Sequence, residues 1–123
     1  MSLQLRLRLN NTLDNTGLVE SVITNNGATV DTGGINGSCY AFNGSTSYIA
    51  ISGIADCFKG GNNPFSISFW FYHTGNSRRG ILFGNYGLVS KNIINLEITA
   101  ANKLRFWWDG SPDWVLPNFT LTT

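Results

Sequence analysis

The chain has 123 residues, of which 42% are hydrophobic, 13% are aromatic and only 12% are charged. This length suits one globular domain with a single core. Eight Lys and Arg residues balance seven Asp and Glu residues, so the total charge gives no long-range attraction to nucleic acid, an anionic membrane or other acidic ligands. A neutral surface rich in Asn, Gly and aromatic residues suits either uncharged sugars or close packing against another subunit.

The N-terminal residues carry the clearest strand pattern in the sequence. Leu3, Leu5, Leu7 and Leu9 alternate with polar residues, which predicts a half-buried strand. The same stretch lacks the apolar run of a signal peptide, and nothing approaches the roughly 18 apolar residues of a transmembrane helix. We therefore expect no signal peptide in this chain and no membrane insertion.

The next part of the chain is rich in turn-forming residues. Residues 10–37 contain pairs such as Asn26-Gly27, which predict loops and short edge strands. Two short apolar runs follow at 39–42 and 48–51, separated by the turn-like residues 43–46. This arrangement predicts a β-hairpin between the two runs.

The run FSISFWFYH at 65–73 predicts a strand with aromatic residues on both faces. One face would carry Phe65, Ile67, Phe69 and Phe71, and the other Ser66, Ser68, Trp70 and Tyr72. Further short strands are expected at 81–83, 88–90, 94–98 and 104–108. About eight strands without a helix predict an all-β sandwich or barrel.

Three segments in this order resemble the laminin-G-like or concanavalin A-like lectin/glucanase superfamily. They are LRLRLNNTLDNTG, INGSCYAFNGSTSYIAI and NPFSISFWFYHTG followed by RRGILFGNYG, and the resemblance covers most of residues 3–108. Its second motif falls on Gly37, Cys39, Tyr40, Phe42, Asn43 and Gly44, with Asn43 where the family usually has Asp. The resemblance implies an antiparallel β-sandwich of the concanavalin A-like jelly-roll type, as a single domain over residues 1–123.

The resemblance also implies that the jelly roll lacks its last strands. The family continues past a strand of the 104–108 type into further strands, whereas this sequence ends at Thr123. Unpaired sheet edges promote strand exchange and aggregation. Two interpretations follow: a sequence that stops early, which we favour, or completion of the sheet by another chain or in a homo-oligomer.

Glycoside hydrolases of the superfamily use paired carboxylates, which retaining hydrolysis places about 5–5.5 Å apart. The corresponding strand here contains Glu97 as its one carboxylate, so we expect a solvated strand residue and a protein that is not an enzyme. His73 is the one histidine, which excludes zinc sites that need paired histidines.

Aromatic residues are the best candidates for binding. By strand alternation, Arg105 and Trp107 would point outward, onto the face where Trp70 and Tyr72 would also lie. Such a platform stacks sugar rings, while Asn and Arg side chains bond hydroxyl groups. Trp114 would be a further exposed aromatic residue if the C-terminal tail does not fold back. The alternative, slightly favoured for each residue alone, is that these side chains pack under loops or against another subunit.

The sequence predicts no cofactor, with calcium as the one alternative. Asp109 and Asp113 flank a short turn that would bring two carboxylates together, and calcium prefers several oxygen ligands. The favoured interpretation is an ordinary Asp-Gly turn. Cys39 and Cys57 are expected as reduced, partly buried thiols rather than as a disulfide.

The resemblance leads to one functional hypothesis and two alternatives. The leading hypothesis is a non-enzymatic phage or phage-like virion component that decorates the particle or binds host glycans, with glycans or other virion proteins as partners. We therefore expect the protein on a virion or an extracellular surface. The alternative is a bacterial secreted or cell-surface carbohydrate-binding module, and a glycosidase fragment comes third.

Overall fold

A computed structural model describes residues 6–54, 65–75, 78–84, 94–108 and 114–121. Every regular element in these residues is a β-strand, and every strand pair is antiparallel. The predicted all-β class is therefore confirmed. The chain divides into two compact units, Met1–Phe58 and Lys59–Thr123, and the single jelly-roll domain stays a prediction.

The first unit contains two pairs of strands. Strands β1 (Val22–Asn26) and β4 (Tyr48–Ser52) pair with each other, as do β2 (Thr29–Gly34) and β3 (Gly37–Ala41). The second pair is a hairpin whose turn ends at Gly37, with a φ of 102°. Glycine adopts this left-handed conformation without steric cost. Short strands within 10–37 were expected, and the structure forms them.

The hairpin predicted between 39–42 and 48–51 is wrong, because β3 pairs with β2 and β4 pairs with β1. The loop between them, residues 43–47, is instead held by hydrogen bonds among its own residues. Oδ1 of Asn43 accepts hydrogen bonds from the backbone amides of Ser45, Thr46 and Ser47 at 2.9, 2.9 and 3.0 Å. An asparagine side chain can in this way mimic a backbone turn, and here the turn leads the chain from one strand pair to the other.

The strand predicted over residues 3–9 is also not formed in its described part. Leu7 makes a single antiparallel bridge to Asn15, and the chain then turns. The local polar contacts explain why pairing stops there: Oδ1 of Asn15 accepts from the amide of Arg6 at 3.2 Å, and Asn11 has a φ of 92°. Alternating leucines are not sufficient for a strand, because a strand also needs a partner with which to pair. Residues 3–5 lie outside the described residues.

The second unit contains a four-stranded sheet in the order β5-β6-β7-β8. Its strands are β5 (Gly80–Gly84), β6 (Ile94–Ile98), β7 (Lys103–Trp108) and β8 (Trp114–Thr120). The strands predicted at 81–83, 94–98 and 104–108 are confirmed, and the one at 88–90 lies outside the described residues. Strand β8, which includes Pro117, was not predicted. Among the described strands β8 pairs with β7 alone, and an edge position tolerates a proline.

Strand β6 lies inside this sheet and is buried on both faces. Ile94 and Ile98 on one face are 2% and 3% exposed, while Asn95 and Glu97 on the other face are completely buried. Alternation along a strand separates the two sets. The apolar and the polar parts of the core therefore meet at one strand.

The strand predicted over 65–73 is not formed. Residues 65–75 belong to no strand, and the side chains from Ser66 to Tyr72 are all exposed. High β-propensity favours a strand only where cross-strand neighbours and burial support it. Within the described residues no helix has the length and apolarity needed to cross a membrane.

Candidate functional site

The aromatic segment, defined as residues 66–72, exposes more large apolar side chains than any other described stretch of its length. Trp70 and Tyr72 are 80% and 85% exposed, and Ile67, Phe69 and Phe71 are between 36% and 39% exposed. Two aromatic side chains exposed to this degree offer about 300 Å² for contact. Patches of that size on soluble proteins are often binding surfaces.

The end of the aromatic segment is attached to the turn between β6 and β7. Nε2 of His73 lies 3.2 Å from Oδ1 of Asn102, and Asn102 has a φ of 56° within this turn. The turn is closed by the amide of Thr99, which donates to the carbonyl of Lys103 at 2.8 Å. The aromatic side chains therefore lie within a few residues of a fixed point of the sheet.

The aromatic rings of the segment fall into two sets, one that packs together and one that is far more exposed. The rings of Phe69 and Phe71 have their centroids 6.0 Å apart and are tilted by 49°, a favourable aromatic geometry. Trp70 and Tyr72 alternate with them and are far more exposed. Their Cα atoms are at most about 7 Å apart, because two residues span no more than that. Trp70 and Tyr72 are therefore close enough for one ligand to contact both.

Arg105 is partly exposed and takes part in an ion pair inside the sheet. It lies opposite Glu97 in the β6–β7 pair, and its Nη1 donates to Oε1 of Glu97 at 3.1 Å. Its side chain is 26% exposed. Arg105 thus belongs first to a polar cluster inside the sheet, and no described contact connects it to Trp70 or Tyr72.

Trp107 and Trp114 are placed only by their backbones. Trp107 lies in β7 opposite Asn95, and Trp114 lies in β8 opposite Phe106. The C-terminal tail therefore folds back onto β7, which removes the condition under which Trp114 was expected to be exposed. The side chains of both tryptophans, and the whole of Asp109 and Asp113, lie outside the described residues, so the aromatic platform and the calcium alternative stay predictions.

Glu97 is the main residue that sequence reasoning placed wrongly. It was expected to be solvated, but it is completely buried. Its Oε2 accepts hydrogen bonds from Nε of Arg79 at 2.8 Å and from Nδ2 of Asn95 at 2.9 Å. The same oxygen forms an ion pair with Nη2 of Arg79 at 2.6 Å. Its Oε1 accepts from Arg105. Burial of a carboxylate is tolerated because it is paired and hydrogen-bonded.

The polar cluster is defined as Glu97, Arg79, Arg105 and Asn95. It is better suited to holding its own side chains in position than to acid–base catalysis. Both oxygens of the carboxylate already accept hydrogen bonds, and the described residues bring no group of three or more His, Cys, Asp or Glu side chains together. Two arginines contact this one carboxylate, and Arg79 is 55% exposed, so part of the cluster faces solvent.

Charge is unevenly distributed between the two units. Residues 1–58 contain two Arg residues against four Asp and Glu residues, a net charge of −2, whereas residues 59–123 contain six Lys and Arg residues against three Asp and Glu residues, a net charge of +3. The net charge of the whole chain is close to zero because these two values nearly cancel. Counting charge for each half of the sequence would have revealed it.

The first unit has a concave surface of its own, with a volume of about 430 Å³. It is lined by loop residues between Leu13 and Ser21 and by Ile23, and its polar wall includes Asp14 and Glu20. Nδ2 of Asn15 fixes the loop by donating to the carbonyl of Val19 at 2.6 Å. This surface is broad and open, so the aromatic segment is the stronger candidate site.

Comparisons with protein-family models, with curated proteins and with solved structures find no match for this chain. The resemblance to laminin-G-like domains therefore stays a prediction that depends on the sequence motifs. The aromatic segment, the fixed turn beside it and the polar cluster are the features from which a function can be argued.

Proposed function

We propose that this chain is a non-enzymatic carbohydrate-binding module whose sugar-binding surface is the aromatic segment. The observation that carries the proposal is the exposure of Trp70 and Tyr72, at 80% and 85% of their surface. Sugar rings present C–H faces that pack on aromatic rings, and exposed tryptophan and tyrosine provide rigid contact area at low conformational cost.

The polar residues of the same segment support this ligand class. Ser66 and Ser68 are exposed between the apolar residues, and their hydroxyl groups can donate to and accept from sugar hydroxyls. Residues 65–72 contain no charged side chain. A surface that combines flat rings with neutral hydrogen-bonding groups matches a saccharide better than it matches a purely apolar ligand.

We also propose the finer fold, a concanavalin A-like jelly roll in which the observed antiparallel sheets belong to one β-sandwich. The support is the all-β composition of the described residues and the order of the three sequence motifs. Members of this superfamily commonly act as lectins, which agrees with the proposed function. Long-range NMR contacts between the strand pair β1–β4 and the four-stranded sheet would test this sandwich directly.

Binding to a glycan array, followed by calorimetry on the saccharides that bind, tests the function. We expect saturable binding that weakens about tenfold in Trp70→Ala and Tyr72→Ala, since loss of one stacking ring costs roughly 1.4 kcal/mol. Tyr48→Ala is the matched control because Tyr48 is 56% exposed but lies in β4 of the other unit. A folded protein that binds no saccharide, or binds equally well without either ring, would overturn the proposal.

A further inference from the structure

The dipeptide Asn-Gly occurs three times in the first unit, at Asn26-Gly27, Asn36-Gly37 and Asn43-Gly44. Such pairs are chemically reactive, because glycine has no side chain to shield the backbone nitrogen that can attack the asparagine amide. The attack also needs an asparagine side chain that is free to rotate and a backbone that is free to deform. The three pairs differ in both respects.

Asn43 is held by its own loop. Its Oδ1 accepts hydrogen bonds from three loop amides and, at 3.0 Å, from the hydroxyl group of Ser47. Its Nδ2 donates to the hydroxyl group of Thr46 at 2.9 Å. Attack on Cγ comes from above the amide plane and requires the side chain to rotate, which would break several of these hydrogen bonds. The folded loop therefore protects this pair.

Asn26 is restrained by its backbone. It is the last residue of β1, is half-buried, and has Tyr48 of β4 as its partner. Its Nδ2 lies 3.4 Å from the carbonyl oxygen of Thr24, which is a weak hydrogen bond. Attack by the nitrogen of Gly27 requires rotation of the Asn26 backbone, and this rotation would disrupt the pairing of β1 with β4.

Asn36 lacks both kinds of protection. It is exposed in the two-residue turn between β2 and β3, and its side chain makes no hydrogen bond to a described residue. A Cβ added at Gly37 would meet no atom within 4 Å, so the space beside the attacking nitrogen is open. Among the described strands, β2 and β3 pair only with each other. The tip of such a hairpin opens at a low cost in free energy.

We propose that Asn36 is a site of spontaneous deamidation, modified before the other two pairs in the folded protein. The nitrogen of Gly37 forms a bond to Cγ of Asn36, the Cγ–Nδ2 bond breaks, and ammonia leaves with the proton of the backbone amide. Water then opens the resulting succinimide at either carbonyl group, which gives aspartate or isoaspartate. Both products add one negative charge to residues 1–58, whose net charge is −2. This inference is independent of the proposed sugar-binding function.

Incubation of the folded chain in mildly alkaline buffer, with peptide mass spectrometry at intervals, tests the proposal. The same incubation in guanidinium chloride measures each pair without the fold, so the ratio of the two rates gives the protection of each asparagine. We expect Asn43 to be protected at least about tenfold, which corresponds to about 1.4 kcal/mol, because several hydrogen bonds must break. Asn26 should also be protected, whereas Asn36 should react at nearly its unfolded rate.

Asn36→Gln is the matched variant, because glutamine keeps the amide group but would have to close a larger, less favoured ring. It should abolish the early product and leave the modification of Asn26 and Asn43 unchanged. Thermal unfolding of this variant should match that of the original chain, since the replaced side chain is exposed.

Two results would overturn the proposal. One is equal protection of Asn36 and Asn43 by the fold, which would show that the hairpin tip is as restrained as the hydrogen-bonded loop. The other is faster modification of Asn43 than of Asn36 in the folded chain, which would show that the donors around Oδ1 activate the carbonyl group instead of protecting it.

Discussion

Replacement of Glu97 by Gln tests whether the polar cluster holds the four-stranded sheet together. The substitution keeps the size of the side chain but removes the negative charge that two arginines share. Glu97 lies in β6, Arg105 in β7, and Arg79 directly before β5. One carboxylate therefore connects three neighbouring parts of the sheet.

The expected loss of stability follows from the exposure of each partner. Removing one member of a fully buried ion pair costs about 3–5 kcal/mol. Arg79 is 55% exposed and can turn into solvent, so its share falls to the surface range of roughly 0.2–1 kcal/mol. Arg105 is 26% exposed, and its charge-assisted hydrogen bond contributes about 1.5–3 kcal/mol. We expect Glu97→Gln to destabilise the protein by about 2–4 kcal/mol.

Urea unfolding followed by tryptophan fluorescence measures this change, with thermal unfolding as a second readout. A loss of this size lowers the melting temperature by roughly 10 °C for a chain of this length. Glu20→Gln is the matched control, because Glu20 is exposed and should change stability by less than about 0.5 kcal/mol. If Glu97→Gln has no larger effect than Glu20→Gln, the burial and pairing of Glu97 do not stabilise the sheet.

Three further substitutions have clear expected outcomes. Gly84→Ala should lower the unfolding free energy by about 1–3 kcal/mol, because the added Cβ would collide with Oδ1 of Asn95. Gly80→Ala is the control, since a Cβ added there meets no atom within 4 Å and should leave stability nearly unchanged. Urea unfolding compares the two variants. Asn43→Ala should lower the free energy of unfolding by about 1 kcal/mol, because three loop amides lose their hydrogen-bond acceptor. Asn43→Asp keeps an acceptor oxygen and should lose much less stability. Unchanged stability in Asn43→Ala would show that these hydrogen bonds do not stabilise the loop. Trp70→Ala should change stability by less than about 0.5 kcal/mol because the ring is 80% exposed, and a large loss would show that the ring is packed in the folded protein.

The sequence predicted the strands of the second unit well where apolar residues alternate between short turns, as in β5, β6 and β7. It failed where the partner of a strand had to be known. The run 65–73 has a strong strand pattern but belongs to no strand among the described residues, and the apolar run in β3 pairs backward to β2 instead of forward to β4. Alternation identifies residues that can form a strand, whereas pairing depends on distant parts of the chain.

The candidate site was only partly accessible to sequence reasoning. The aromatic character of the run pointed to Trp70 and Tyr72, and both are exposed, but the strand alternation that assigned them to one face is not formed. Alternation also suggested a solvated Glu97, because a single sequence does not reveal what covers the second face of a sheet. The pairing of Glu97 with Arg79 could not be read from spacing, since it depends on the β5–β6 register. The virion setting and the calcium alternative stay predictions.

Titration of the indole Nε1–H resonance of Trp70 with a saccharide that binds tests the central claim most directly. The chain has four tryptophans, and a Trp70→Phe variant identifies the resonance by its disappearance from the ¹H–¹⁵N spectrum. Sugar binding on the aromatic segment predicts a saturable shift of this resonance, with the same dissociation constant that calorimetry gives. Saturable saccharide binding that leaves the Trp70 resonance unmoved would contradict the account, because the sugar would then bind elsewhere on the protein.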